Sequence, residues 1–185
     1  MKRQLKILLT TGALFTLAGG LFGPLYAVFV EQIGGDLLTA GGAYSAFAIS
    51  AGVLTLLFSK WEDKSKHQEK LVILGYALSC VGFLGYLLIQ KPIHLFAVQI
   101  IFGVANAINN PAYDSLYSKF LEKGKFASQW GMWEAMVWIV SGIAALVGGF
   151  VAKTYGFRPL FIAMFAISLV GLITVSTLAR KAKKA

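Results

Sequence analysis

The chain has 185 residues, of which 57% are hydrophobic and 14% charged, and its formal net charge is +9. The hydrophobic fraction exceeds the roughly 45 to 50% typical of soluble domains, so the composition excludes an ordinary soluble fold. The positive charge alone would suit nucleic acid or a membrane surface, and its distribution along the chain separates the two.

Six apolar runs are long enough to cross a hydrocarbon core about 30 Å thick, which takes about 20 helical residues. They lie near residues 7–30, 38–59, 70–90, 93–117, 127–152 and 158–179. The loops between them are short. The sequence therefore predicts an all-α membrane protein whose single six-helix domain covers residues 1–185.

The first span carries Gly12, Gly19, Gly23 and Tyr26 on one helical face. The GxxxG spacing of Gly19 and Gly23 favours close packing against another helix. Pro24 is expected to kink this span near its outer end. Residues 71–89 of the third span and 160–178 of the sixth contain no Lys, Arg, His, Asp or Glu, so these two spans are predicted to face lipid.

Polar residues form one stripe along the fourth span. At about 100° per residue they fall within roughly 60° of one another. In the fifth span, Trp130, Glu134 and Trp138 recur at i, i+4 and i+8 on one face. Because polar groups facing lipid are costly, both stripes are expected to face an interior cavity. The stripe of the fourth span consists of Gln99, Gly103, Asn106, Asn110, Tyr113 and Tyr117.

The basic residues are strongly biased to the side of the membrane that carries both termini. Only Lys91, Lys153 and Arg158 are predicted on the other side. The positive-inside rule therefore predicts cytoplasmic N- and C-termini in a multi-pass cell-membrane protein, and the charge is read as a topology signal rather than a nucleic-acid site. The remaining basic residues are Lys2, Arg3, Lys6, Lys60, Lys64, Lys66, Lys70, Lys119, Lys123, Lys125, Arg180, Lys181, Lys183 and Lys184.

The chain contains a faint internal repeat with an offset of 87 residues, which places Pro24 and Tyr26 on Pro111 and Tyr113. The first three spans then overlay the last three. Because each unit crosses the membrane three times, the second must be inverted relative to the first. An inverted 3+3 repeat of this kind is found in secondary transporters.

With these spans, the chain resembles one six-helix half, the N-terminal one, of a major facilitator superfamily transporter. The loop after the second span is similar to the charged motif of that family, through Asp63, Lys64, Lys66 and Lys70. In that motif Ser59 and Lys66 stand where the family prefers glycine.

Two antiporter motifs of the family are only partly present. Gly103 matches the motif of the fourth helix, but Gln99 occupies its arginine position. Gly148 and Gly149 are what remains of the motif of the fifth helix. The resemblance implies a secondary transporter with alternating access, and it implies gating or structural roles for Asp63 and Lys64, whereas antiport is not indicated.

Glu134 is the candidate for proton coupling, because a carboxyl group inside a membrane helix is costly when ionised and can exchange a proton. The alternative is a carboxyl group that is held permanently by a neighbouring helix. The predicted substrate-binding residues are Gln99, Asn106, Asn109, Asn110, Tyr113, Trp130, Trp138 and Tyr26. Asp114, near the cytoplasmic end of the fourth span, is grouped with Asp63 and Lys64.

Amide groups suit hydroxyl-rich solutes, and indole faces suit either sugars or cations. The first hypothesis is therefore a parallel homodimer that carries sugar-like solutes, coupled to protons. One alternative is a lipophilic-cation antiporter that binds its substrate with Glu134 and the indoles, and another is a non-transporting subunit of a larger complex. The expected partners are a second copy, the lipid bilayer, a small solute and protons. No enzymatic activity, cofactor, metal or nucleic acid is predicted.

Overall fold

The computed structural model describes residues 2–65 and 67–182, and this part of the chain is helical without strands. Lys66, Lys183 and Lys184, which the sequence places on the basic side, lie outside the described residues. The helices are α1 (Arg3–Gly20), a 3-10 turn (Gly23–Leu25), α2 (Tyr26–Gln32), α3 (Leu37–Glu62), α4 (Gln68–Tyr86), α5 (Pro92–Phe120), α6 (Phe126–Tyr155) and α7 (Phe157–Ala182).

Six helical segments of the described chain are long and apolar enough to cross a membrane, with α1 and α2 together forming the first. The prediction of six spans is confirmed, and its boundaries differ from the helix ends by four residues or fewer. Most helices extend beyond the apolar run because a helix continues into the polar interface as long as its backbone hydrogen bonds can form. The exception is the end of α4, which stops at Tyr86, four residues before the predicted boundary. The backbone N–H groups of Leu87 and Leu88 donate to carbonyl oxygens three residues earlier, so the helix ends in a tighter turn of the 3-10 type.

The predicted kink at Pro24 is present. Pro24 lies inside the 3-10 turn that separates α1 from α2. Because a proline has no backbone N–H to donate, the hydrogen bonds of the α-helix are interrupted there. Pro111, its counterpart in the repeat, lies within α5 without ending that helix.

Two clusters of buried side chains occupy opposite ends of the bundle. One contains Leu5, Leu8, Leu71, Tyr117 and Val175, so it joins the beginnings of α1 and α4 to the ends of α5 and α7. We call this end the terminus side. The other cluster joins residues from the opposite helix ends, as an up-and-down bundle requires; among them are Phe22, Phe29, Tyr86, Leu95 and Phe161.

The helices pack in a crosswise pattern. α5 packs against α3 and α4, whereas α1 packs against α6 and α7, and α4 contacts α7 between the two groups. Exchanging the first three spans for the last three converts one set of pairs into the other. This pattern is what the sequence repeat leads one to expect, and the inversion of the second unit stays a prediction.

The close contacts between helices are made by glycines other than Gly19 and Gly23, the GxxxG pair. A Cβ on Gly148 would overlap the carbonyl oxygen of Leu21, and one on Gly20 would lie 2.8 Å from the Cβ of Ala144. Gly19 and Gly23 have no atom within 4 Å of such a Cβ, so the prediction that they form the close contact is wrong. The physical reason is that their face of the first span borders a cavity, while the adjacent face packs on α6.

Exposure is greatest on the second and fifth spans. In the most apolar 18-residue stretch of each helix, only 6% of the residues of α3 and 11% of those of α6 are buried, whereas 44% of those of α4 are buried. The third span, predicted to face lipid, is thus the most buried of the six. Two long helices, α3 and α6, present broad apolar faces that no other described part of the chain covers.

Candidate functional site

A cavity of about 690 Å³ lies between α1 and α5, the first helices of the two repeat units, with walls from α3, α4, α6 and α7. Along α5 it extends from Gln99 to Asp114, about 22 Å at 1.5 Å per residue. The predicted polar stripe therefore borders an interior space rather than a helix contact over most of its length.

Half of the residues that line the cavity are aromatic. Rings stack or meet edge-on across helices, for example Phe15 on Tyr76 with centroids 4.0 Å apart and Phe83 on Phe102 at 5.1 Å. The eleven aromatic residues are Phe15, Phe22, Tyr26, Tyr44, Phe47, Tyr76, Phe83, Tyr86, Phe102, Tyr113 and Trp133. Sequence reasoning identified only Tyr26 and Tyr113 among them as site residues. The spacing of Tyr76, Phe83 and Tyr86 on one face of α4 was the signal available for the others.

The amide groups of α5 line the same cavity and bond largely to one another. Asn110 Nδ2 donates to Asn106 Oδ1 at 2.5 Å, and Asn109 Nδ2 makes a long contact of 3.5 Å with Asn110 Oδ1. Asn109 Oδ1 is buried and has no hydrogen-bond partner in the described chain. The asparagines thus form a short polar ladder, and the side chain of Asn109 at its end lies next to the hydroxyl group of Tyr76.

Gln99 and Tyr26 line the cavity towards the side opposite the termini. Gln99 is buried, and its side chain lies next to the buried hydroxyl group of Tyr26. Two members of the predicted stripe lie elsewhere. Gly103 lets α5 approach Ser50 on α3, and Tyr117 donates to the carbonyl of Gln129 at 2.6 Å in the packed terminus side.

α6 and the first half of α1 contribute to the cavity wall on the terminus side. Trp133 lies over Gly12, where a Cβ would overlap the indole, and its ring centroid is 4.9 Å from that of Tyr113. Tyr113 in turn donates from its hydroxyl group to the carbonyl of Leu8 at 3.0 Å. Trp133, which the sequence places off the stripe of Trp130, Glu134 and Trp138, therefore packs into the bundle, because Gly12 leaves a groove that the indole fills.

The Trp130, Glu134 and Trp138 stripe does not border this cavity. Trp130 is half-buried against Tyr117, with ring centroids 4.8 Å apart. Glu134 is exposed, and 72% of Trp138 is exposed. Within the single chain, the stripe of α5 borders the interior cavity as expected, whereas Glu134 and Trp138 lie on the uncovered face of α6, so the expectation that this second stripe faces an interior cavity stays a prediction about the dimer.

The residues assigned to gating lie in two different places. Asp63 and Lys64 are exposed in the turn after α3, and neither side chain makes an ion pair within residues 2–65 and 67–182. Asp114 instead lines the cavity. No group of three or more potential metal ligands occurs in the described chain.

The chain is similar in sequence to a known family of membrane transporters. A sequence model of the Major Facilitator Superfamily matches residues 8–185. An uncharacterized MFS-type transporter of Bacillus subtilis, YitZ, is 23% identical over 146 residues, which cover 79% of this chain and 88% of that protein.

Two larger proteins match over part of their length. The quinolone resistance protein NorB of Staphylococcus aureus is 26% identical over 148 residues, which cover 80% of this chain but 32% of NorB. The crystal structure of the POT family transporter PepTSo superposes with a TM-score of 0.83 and 14% identity, covering 98% of this chain and 38% of that one. The chain thus matches only 32% of the length of NorB and 38% of that of PepTSo, and the similarity to PepTSo concerns the fold.

Proposed function

Because the chain belongs to the Major Facilitator Superfamily, we propose that it is a secondary transporter in which two parallel copies enclose the substrate between them. The observation that carries this proposal is the aromatic cavity between α1 and α5, which lies next to two uncovered helices, α3 and α6. Transporters of this architecture bind substrate between two six-helix units related by an axis along the membrane normal. A second copy supplies the second unit.

The uncovered faces of α3 and α6 are suited to a second copy. Gly41 and Gly52 on α3 and Gly131 and Gly142 on α6 have no atom within 4 Å of where a Cβ would lie. Small residues let helix backbones approach closely within a membrane. Since all copies insert in the same orientation under the positive-inside rule, with both termini in the cytoplasm of the cell, a two-fold axis along the membrane normal relates them.

The preferred substrate is an amphipathic organic cation with an aromatic or apolar body, which corresponds to the lipophilic-cation alternative. Eleven rings line the cavity, and rings bind apolar surface and cations alike. The similarity to a quinolone resistance protein supports the same class. In this proposal the transport is coupled to protons through Glu134, which faces the second copy.

A sugar-like solute is the second candidate, because Gln99 and the three asparagines border the same space. The bond between Asn110 and Asn106 weakens this candidate, since a substrate hydroxyl would have to compete for groups that are already paired. Uptake of labelled sugars and of labelled lipophilic cations into proteoliposomes, with and without a pH gradient, tests the two classes directly. Absence of any gradient-driven uptake would contradict the proposed function.

Substitution of Trp133 and of Asn106 by alanine should separate the two substrate classes. For an aromatic cation, we expect Trp133→Ala to weaken binding about tenfold, equivalent to about 1.4 kcal/mol, and Asn106→Ala to change it little. For a sugar, the order should reverse, because the lost amide leaves substrate hydroxyls unpaired. Binding titrations of the purified variants measure both, with Trp61→Ala, at the exposed end of α3 and outside the cavity, as the control for loss of an indole.

A substitution at Gly142 tests whether two copies associate through α6. Replacing it by tryptophan adds a large ring where the chain itself has no neighbouring atom, so the monomer should fold normally. Association through α6 should be lost, and with it transport. Single-molecule subunit counting in bilayers measures the stoichiometry, and Ile162→Trp on the exposed face of α7 is the control. A monomeric wild-type protein that transports would contradict this proposal.

A further inference from the structure

One carboxyl group, that of Asp114, borders the cavity among the described residues, and no Lys, Arg or His accompanies it. Asp114 lies six residues before the end of α5, about 9 Å inside that helix end. It makes no hydrogen bond or ion pair with the described chain, although its neighbours Asn106, Asn109 and Asn110 are connected by hydrogen bonds. An ionisable group placed within a membrane-spanning helix is costly and rarely lacks a function.

Aromatic rings stand next to this carboxyl group. Tyr76 and Tyr113 border the same part of the cavity, with their ring centroids 6.5 Å apart in an edge-on arrangement. Trp133 lies beyond Tyr113, with 4.9 Å between the two ring centroids. The cavity therefore ends in a negative charge beside three rings, and it offers no positive group to an anion.

We propose that Asp114 is the residue that recognises the positive charge of an organic cation, while the rings of Tyr76, Tyr113 and Trp133 hold its apolar body. Asp114 is exposed where it borders the cavity, so its carboxylate is accessible to a ligand. A carboxylate and aromatic faces attract the same cation, the first by charge and the second by the ring quadrupole. This inference rests on the proposed function only in taking the cavity as the substrate site. It assigns to Asp114 a role different from gating, and different from the proton coupling proposed for Glu134.

Binding of a cation and of its neutral analogue to the purified protein tests the assignment. Tetraphenylphosphonium is the cationic probe and triphenylphosphine oxide the neutral one, titrated at constant pH and salt without any gradient. We expect Asp114→Asn to weaken binding of the cation at least about tenfold and to leave binding of the neutral probe unchanged. Asp114→Glu should retain the preference for the cation, because the charge is kept.

Asp36→Asn provides the matched control, since it removes the same charge on the opposite side of the bundle, where Asp36 caps α3 through Thr39. Wild-type affinity of Asp114→Asn for the cation would overturn the assignment, as would an equal loss for both probes or a wild-type protein that binds neither. If the wild-type protein binds the cation through Asp114 but does not transport it, the proposed function fails while this inference holds.

Discussion

Replacing Gly148 by alanine is expected to destabilise the protein strongly, by about 1 to 3 kcal/mol, the range typical of overpacking. The added methyl group would overlap the carbonyl oxygen of Leu21, and the carbonyl and α carbons of Leu21 also lie within 3 Å of it. These are backbone atoms at the end of α1, so no side-chain rotation can relieve the overlap. The expected result is a lower unfolding temperature in detergent and a smaller monodisperse fraction.

Gly149→Ala is the matched control for this prediction. It adds the same methyl group one residue further along α6, where no atom lies within 4 Å of the Cβ position. Alanine is also the better helix former, so this variant should be as stable as the wild type or slightly more stable. Equal unfolding temperatures for Gly148→Ala and Gly149→Ala would show that α1 and α6 do not pack as described.

The spans could be predicted from the sequence because a bilayer imposes a length and a polarity on every helix that crosses it. The stripe of α5 could be predicted for a similar reason: Gln99, Asn106 and Asn110 are costly in lipid, and one helical face collects them. Pro24 marked the break in the first span through its missing N–H.

Which face of α6 packs against the rest of the chain could not be predicted in the same way. Periodicity places Trp130, Glu134 and Trp138 on one face, but it does not say which face meets the rest of the chain. That choice depends on the contacts of Gly148 with Leu21 and of Trp133 with Gly12, which join residues far apart in the sequence. Glycines at such contacts look the same in a sequence as Gly19 and Gly23, which border open space.

Glu134→Gln is expected to uncouple transport from the proton gradient. Glu134 lies eight residues into α6, about 12 Å from the beginning of the helix, and it is exposed on the face that the chain itself leaves uncovered. In the proposed dimer the uncovered face of α6 meets the second copy, so Glu134 would lie at the interface between the two copies.

Glutamine keeps the shape and the hydrogen bonding of a protonated glutamate but releases no proton, so the variant should remain in the loaded form of the cycle. We expect cation binding and passive exchange to persist while accumulation driven by a pH gradient falls to the level of empty liposomes. Glu31→Gln, at the end of α2 outside the cavity, removes a carboxylate without this effect and serves as the control. If Glu134→Gln still concentrates the cation at the wild-type rate, Glu134 has a structural role. Asp114 then becomes the next carboxyl group to test for coupling, because it is the one that borders the cavity among the described residues.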